Sequence, residues 1–386
     1  MIRRLSLAVL AVAGLATPAR AQMARLTESL GSLEKRVRTD SADPVAHYQV
    51  GLAYWSYGRF DDAERALKQA LVIDPQFAPG YLSLSLLPYA RRPKLWEEEE
   101  KGKVPAELKE VVEESDRSYR RAFMVDPLVD LQSIALFFRR RISSGGVGRD
   151  EQFARGIEFF YVSQFDQAHA SLHRALPSDA KGRAKTGSTV LWYHALSAAH
   201  VGAWDEALAD LTILRERALE VERVAPAAGI GTFQANQMLY LIAVVEQRAG
   251  RTREAVAHYE EVLANDIGMY MAHVQLANMH EKNGVYARAL TERRRAIAAN
   301  PYDGSLEFDL GVTLARAGQF ASADSVLGGA MASNPANARI PYMLGLVRRQ
   351  LGDTAGARSA FDRFLAMAPS SYGEQVADVR RRMQAK

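Results

Sequence analysis

Two histidines offer the first candidate chemistry in this chain. His169 and His173 are four residues apart, so a helix places both imidazoles on one face, the spacing of a metal-binding pair. Between them stand Ala170, Ser171 and Leu172, without the glutamate of a zinc-protease helix. The pair therefore reads as surface histidines, with no metal expected. Ser178 and Lys181 have the spacing of a serine activated by a lysine, and Lys185-Thr186-Gly187 matches the triplet that accompanies such a serine. The two motifs share one polar loop in a chain that reads as all-helical, so the match is a coincidence of short motifs. Gly146-x-Gly148 lacks a third glycine, a preceding strand and a following lysine, so Ser143–Gly148 is a linker and not a phosphate cradle. No G-x-S-x-G elbow occurs. No cysteine occurs either, which excludes disulfides, thiolate metal sites, cysteine nucleophiles, c-type haem and a lipid anchor on cysteine. The expectation is a protein without catalysis, cofactor or metal.

A regular frame must position whatever function remains. Ala255, Ala289, Ala323 and Ala357 recur every 34 residues, and Gly250, Gly284, Gly318 and Gly352 keep the same step. Pro301, Pro335 and Pro369 close the last three copies. A fixed period of this size signals a repeat architecture. Leu310 and Leu314 share one helical face, as do Ala323 and Leu327. Gly318 allows the reversal between the two helices. Small Gly311 and Ala323 let antiparallel helices approach to about 8–10 Å. Asn334 precedes a proline and so leaves the α region, ending the second helix.

The pattern Leu310-Gly311, Gly318, Phe320, Ala323, Leu327, Ala330, Asn334-Pro335 resembles the tetratricopeptide repeat family. Gly51, Tyr54, Gly58, Phe60, Ala63, Leu67, Ala70 and Asp74-Pro75 repeat it, and Phe165 to Ala175 and Trp204 to Leu211 mark two further units. The resemblance covers nearly everything from Pro44 to Pro369. It implies an all-α, right-handed α-solenoid of about eight helical hairpins that binds other proteins. Residues 22–43 are expected to cap the array, and 44–177 to hold repeats with an insertion near 88–110, where the phase moves by 18 residues. Residues 178–236 hold a repeat with a long junction, 237–369 four contiguous repeats, and 370–386 a C-terminal cap. The acidic run Glu97–Glu100 reads as a solvated element of the insertion, and Leu128–Ile142 as a further helix.

Residues 1–21 read as a secretory leader: Arg3 and Arg4, the apolar run Leu5–Leu15, then Ala19-Arg20-Ala21 as cleavage site. The apolar run falls short of the roughly 20 residues of a membrane span. An exported chain, periplasmic or extracellular and starting at Gln22, is expected. Its 49 basic residues then drop by the leader's three to 46 against 45 acidic, so the net charge falls from +4 to +1. Such a balance gives no argument for a nucleic-acid partner.

The repeat phase places Tyr48, Trp55, Phe153, Phe160, Trp192, Tyr240, Phe308 and Tyr342 on the first helices of their hairpins, facing the inner surface. Arg248, Lys282, Arg316 and Arg349 follow at steps of 34, 34 and 33. Two readings are open: the aromatics pack between adjacent repeats and the cations are solvated, or together they line a groove for an acidic peptide segment. Asn278 matches one position of the carboxylate clamp found in chaperone-binding relatives, but Val274, Asp309, Ala338 and Met343 hold the others, which disfavours a chaperone tail. The expected function is an exported protein-interaction scaffold. The alternative is a carbohydrate- or peptidoglycan-associated module using the aromatics against sugar rings.

Overall fold

The computed structural model describes residues 29–100, 102–128, 151–161, 164–224, 234–368 and 372–384. The leader at 1–21, the helix expected at 128–142 beyond its first residue, the linker 143–148 and the junction at 225–231 lie outside them. Every regular element among the described residues is helical. They are α1 Leu30–Thr39, α2 Pro44–Ser56, α3 Phe60–Ile73, α4 Ala78–Arg91, α5 Lys94–Glu100 and α6 Lys109–Val125. Next come α7 Glu151–Tyr161, α8 Phe165–Ala175, the single turn α9 Ala180–Arg183, α10 Ser188–Val201, α11 Trp204–Val224, α12 Ala235–Arg248 and α13 Thr252–Asn265. The chain continues with α14 Tyr270–Lys282, α15 Tyr286–Ala299, α16 Gly304–Arg316, α17 Phe320–Ser333, α18 Arg339–Gln350, α19 Thr354–Met367 and α20 Gly373–Gln384. None of the described helices is long and apolar enough to cross a membrane.

The 34-residue pattern produces these hairpins for local reasons. Gly250, Gly284, Gly318 and Gly352 have φ of 79°, 72°, 75° and 78°, the left-handed region in which a side chain is strained. Each therefore ends a first helix and turns the chain into its partner. The phased alanines Ala255, Ala289 and Ala323 are completely buried, and sixteen residues upstream of buried Leu67, Leu172, Leu327 and Phe361 stand Gly51, Gly156, Gly311 and Gly345. A Cβ on Gly311 would lie 2.6 Å from Leu327 Cγ, and one on Gly345 would lie 2.3 Å from Phe361 Cε1. Helix starts are capped where aspartate allows: Asp43 accepts from Val45 N, and Asp303 Oδ1 accepts from Ser305 N at 3.1 Å.

The insertion splits a hairpin in two. Ser115 Oγ donates to Ser85 O, and Arg121 lies over the Tyr81 ring at 5.4 Å, so α4 and α6 run antiparallel as the two helices of one repeat. Between them come α5 and a 3-10 turn at Ala106–Leu108.

Packing divides the chain into two compact units. The first contains Tyr81–Asp266, with hairpins α4/α6, α7/α8, α10/α11 and α12/α13. The second joins Glu28–Gly80 to Ile267–Lys386: α2/α3, α14/α15, α16/α17 and α18/α19, with α1 and α20 at their flanks. A linear array predicts contacts between sequence neighbours only. The second unit departs from this, since Gln76 Nε2 donates to Ser305 Oγ at 3.0 Å and contacts Asp309 Oδ2 at 3.5 Å. Residues at the end of the first full repeat thus rest on a first helix more than two hundred positions away.

Candidate functional site

Most of the aromatic positions are packing residues. Tyr48, Trp55, Phe160, Trp192, Tyr240 and Phe308 are all buried, while Phe153 and Tyr342 are half-buried. Tyr48 meets Phe77 edge-on at 5.4 Å, and Phe160 meets Tyr193 in the same way at 5.3 Å. Phe308 lies under the Arg339 guanidinium at 4.6 Å. Tyr342 donates to Asp378 Oδ2 at 3.2 Å and packs on Phe364.

In the first unit the chain itself covers these inner faces. The Tyr240 hydroxyl donates to Met124 O at 2.7 Å, and the ring packs near Phe123. Arg248 pairs with Asp126 at 3.2 Å. His200 stacks on Phe165 at 3.8 Å. Burial first, then the Arg248 charge, pushes its imidazole down to about 4 despite a hydrogen bond with the Leu128 backbone. The end of α6 and the irregular residues 126–128 are therefore seated on α10 and α12.

Of the four cations expected to form a stripe, Arg248 belongs to the first unit and Lys282, Arg316 and Arg349 to the second. Two of the four are also neutralised, Arg248 by Asp126 and Arg316 by Glu281. Lys282 and Arg349 are exposed, and Arg349 donates to Arg382 O at 3.3 Å. Asn278 is engaged as well: its Oδ1 accepts from Arg293 Nη2 at 2.6 Å. Arg293 is buried and also reaches Glu281, Thr313 and Asp309, a polar network inside the second unit.

The loop motifs near 180 prove structural. Asp179 Oδ1 accepts from Gly182 N at 2.8 Å, which shapes the α9 turn, and Arg183 from that turn pairs with buried Asp210.

The reading of His169 and His173 as plain surface histidines is also corrected. On α8 they face the next hairpin, where α10 brings His194 and α11 brings Glu206. Glu206 Oε2 lies 3.3 Å from His169 Nε2, 2.8 Å from His173 Nδ1 and 3.4 Å from His194 Nε2. His194 is completely buried, and its Nδ1 lies 2.6 Å from Asp210 Oδ2. So short a contact to an acceptor-only carboxylate assigns Nδ1 as the donor to Asp210 and turns Nε2 toward Glu206. Arg183 holds Asp210 through a 2.6 Å bond from Nε. Burial, then the neighbouring His194, keeps the His169 imidazole below its usual value. Burial alone would raise Glu206, but hydrogen bonds and charge from His169 and His173 outweigh it and hold the carboxyl low. Sequence reasoning missed His194 and Glu206 because it asked what lies along one helix. The available signal was the repeat itself, which sets a second helix against the first helix of the following hairpin.

The tetratricopeptide repeat family models match residues 44–77, 240–304 and 308–372. A search by sequence against characterised proteins gives no significant match. Among solved structures, the chain is similar to MamA from Desulfovibrio magneticus RS-1 at 17% identity, covering 52% of this chain and 97% of that one with a TM-score of 0.38. PilW, described as a widely conserved type IV pilus biogenesis factor, shares 19% identity over 59% of this chain and 96% of its own, with a TM-score of 0.43. YrrB, described as a TPR protein with an unusual peptide-binding site, shares 17% over 55% and 100%, with a TM-score of 0.37. With the matched segments carrying the phased glycines, buried alanines and hairpins just described, this chain is a tetratricopeptide repeat protein.

Proposed function

We propose that this protein is a non-catalytic interaction scaffold exported to the cell envelope, whose first-helix faces receive an extended, acidic segment of a partner protein. The observation that carries the reading is the seat of residues 123–128 on α10 and α12. There the last turn of α6 is held by Tyr240 through Met124 O, and an acidic side chain just beyond it by Arg248 through Asp126. A face that takes such a segment from its own chain has the donors and the cation to take one from another protein. In the second unit, exposed Lys282 and Arg349 add positive charge on first helices. Export rests on the leader pattern of Arg3, Arg4, Leu5–Leu15 and Ala19-x-Ala21.

The carbohydrate reading loses its main support. A sugar ring stacks on an open aromatic face, and six of the eight aromatics are buried.

The test is capture from envelope extract on immobilised mature chain, with muropeptide binding measured alongside. A retained protein should lose at least tenfold in affinity on Lys282→Glu combined with Arg349→Glu and weaken with added salt, because exposed charges are screened within about 8–10 Å. Binding indifferent to both changes overturns the acidic-segment reading, and muropeptide binding without a protein partner overturns the scaffold. Native protein whose intact mass includes Met1 overturns export.

A further inference from the structure

We infer that His169, His173, His194 and Glu206 bind one zinc-type divalent ion, which fastens the α7/α8 hairpin to the α10/α11 hairpin. One donor atom from each residue lies within 4.8 Å of all the others. Around a tetrahedral zinc with bonds of about 2.0–2.1 Å, neighbouring donors sit about 3.3 Å apart. The three imidazole nitrogens approach that spacing already, at 3.3, 2.8 and 3.4 Å from Glu206 Oε2.

A hydrogen-bonded cluster without an ion leaves an account unsettled. One carboxylate oxygen serves His169 and His173, and His194 Nε2 is buried with no hydrogen-bond partner. An unmet buried nitrogen is costly, and Asp210 holds the ring so that this nitrogen faces the other three donors. A cation satisfies all four at once. The arrangement carboxylate–histidine–ion is the one in which an outer carboxylate fixes the tautomer and raises the basicity of the ligand nitrogen. Arg183 in turn holds Asp210 in place.

Three imidazoles and one carboxylate suit zinc, and also cobalt, nickel or copper, far better than magnesium or calcium, which take oxygen donors. Four protein ligands fill a tetrahedron and leave no open position, so the ion is structural. It has an entry path: the side chains of His173 and Glu206 are 55% and 36% exposed, while His194 forms the closed floor. Because stacked repeats are held by nearest-neighbour contacts, an ion bridging α8 to α10 and α11 strengthens the joint between two successive repeats.

The experiment uses untagged full chain, stripped with chelator and dialysed, then titrated with zinc and separately with magnesium. Expected are one zinc per chain, a melting temperature that rises with zinc and ignores magnesium, and the strong visible absorption of a tetrahedral site with cobalt. His173→Gln and Glu206→Gln should each lower zinc affinity at least tenfold and flatten the zinc-dependent melting shift. Asp210→Asn should lower affinity by roughly 10–100-fold. His173 is exposed, so its variant decides the matter should Glu206→Gln fail to fold. A stripped chain that takes up no zinc overturns the site, as does zinc binding of equal affinity in the His173→Gln chain.

Discussion

Arg293 shows how far a single residue departs from its repeat. The equivalent position in other hairpins holds Leu67, Leu172, Leu211, Tyr259, Leu327 or Phe361, each buried and apolar. In α15 it holds a buried guanidinium, and the fold answers with Glu281, Asp309, Asn278 and Thr313. Removing one side of a buried pair strands the other, so Arg293→Ala should cost about 3–5 kcal/mol in urea unfolding. Arg293→Leu combined with Glu281→Gln and Asp309→Asn should recover most of that loss, because it restores the apolar residue of the other repeats. Equal destabilisation by both variants would mean that the network is not the cause. A second residue-scale expectation concerns His200. Its folded value near 4 lies below the usual 6.5, so the folded state binds fewer protons than the unfolded one. Its contribution is present above pH 6.5 and is lost as pH falls from 6.5 through 4. His169 is lowered as well, by burial and then the neighbouring His194, so His200→Phe should remove only part of the acid slope between those values. The carboxylates held low, Glu292 and Asp378, lose their contribution only at lower pH. An unaltered slope in that variant would refute the assignment.

At the scale of the helix pair, close approach is set by the small residue opposite each buried second-helix side chain. The pairs are graded: a Cβ would meet its neighbour at 3.1 Å at Gly51, 2.6 Å at Gly311 and 2.3 Å at Gly345. Gly51→Ala should therefore be the mildest, since Leu67 needs to shift only slightly. Gly311→Leu should destabilise by roughly 1–3 kcal/mol through overpacking against Leu327, with Gly345→Ala also costly because the Phe361 ring is stiff. Chemical denaturation of the three variants checks the order, and a milder effect at Gly345 than at Gly51 contradicts it. The turn glycines answer to a different constraint. Nothing lies within 4 Å of a Cβ at Gly318, so there the cost of a side chain comes from its φ of 75° rather than from space.

For the whole molecule, the contact between Gln76 and α16 changes what the ends of the chain do. Residues 74–77 follow α3, and through Gln76 they touch Ser305 and Asp309. In a purely linear stack, removing the first repeat would leave hairpins two hundred residues away untouched. Deleting residues 29–80 should instead raise amide exchange in α16, measured by mass spectrometry on native chain. Exchange there identical to the intact protein would mean that the contact contributes nothing. The same compact unit holds α1–α3 with α14–α20, so its stability is shared between the beginning and the end of the sequence.

The sequence by itself determined the hairpins. Their period, the left-handed turns at Gly250, Gly284, Gly318 and Gly352, and the buried alanines are local or one hairpin apart, and helix geometry converts such spacing directly into contacts. Even the insertion was legible, as a phase shift, before Ser115 and Ser85 were seen to meet. What only the tertiary structure decided is which first-helix faces remain open. Tyr240 and Arg248 sit where the repeat phase puts them, but Met124 and Asp126 reach them from a segment whose placement no period encodes. The histidine cluster divides in the same way. His169 and His173 share a helix and are visible as a pair, whereas His194 and Glu206 join them only because α10 and α11 stack on α8. A repeat states which side chains turn toward a neighbour, and the packed structure alone brings the four donors within reach of one ion.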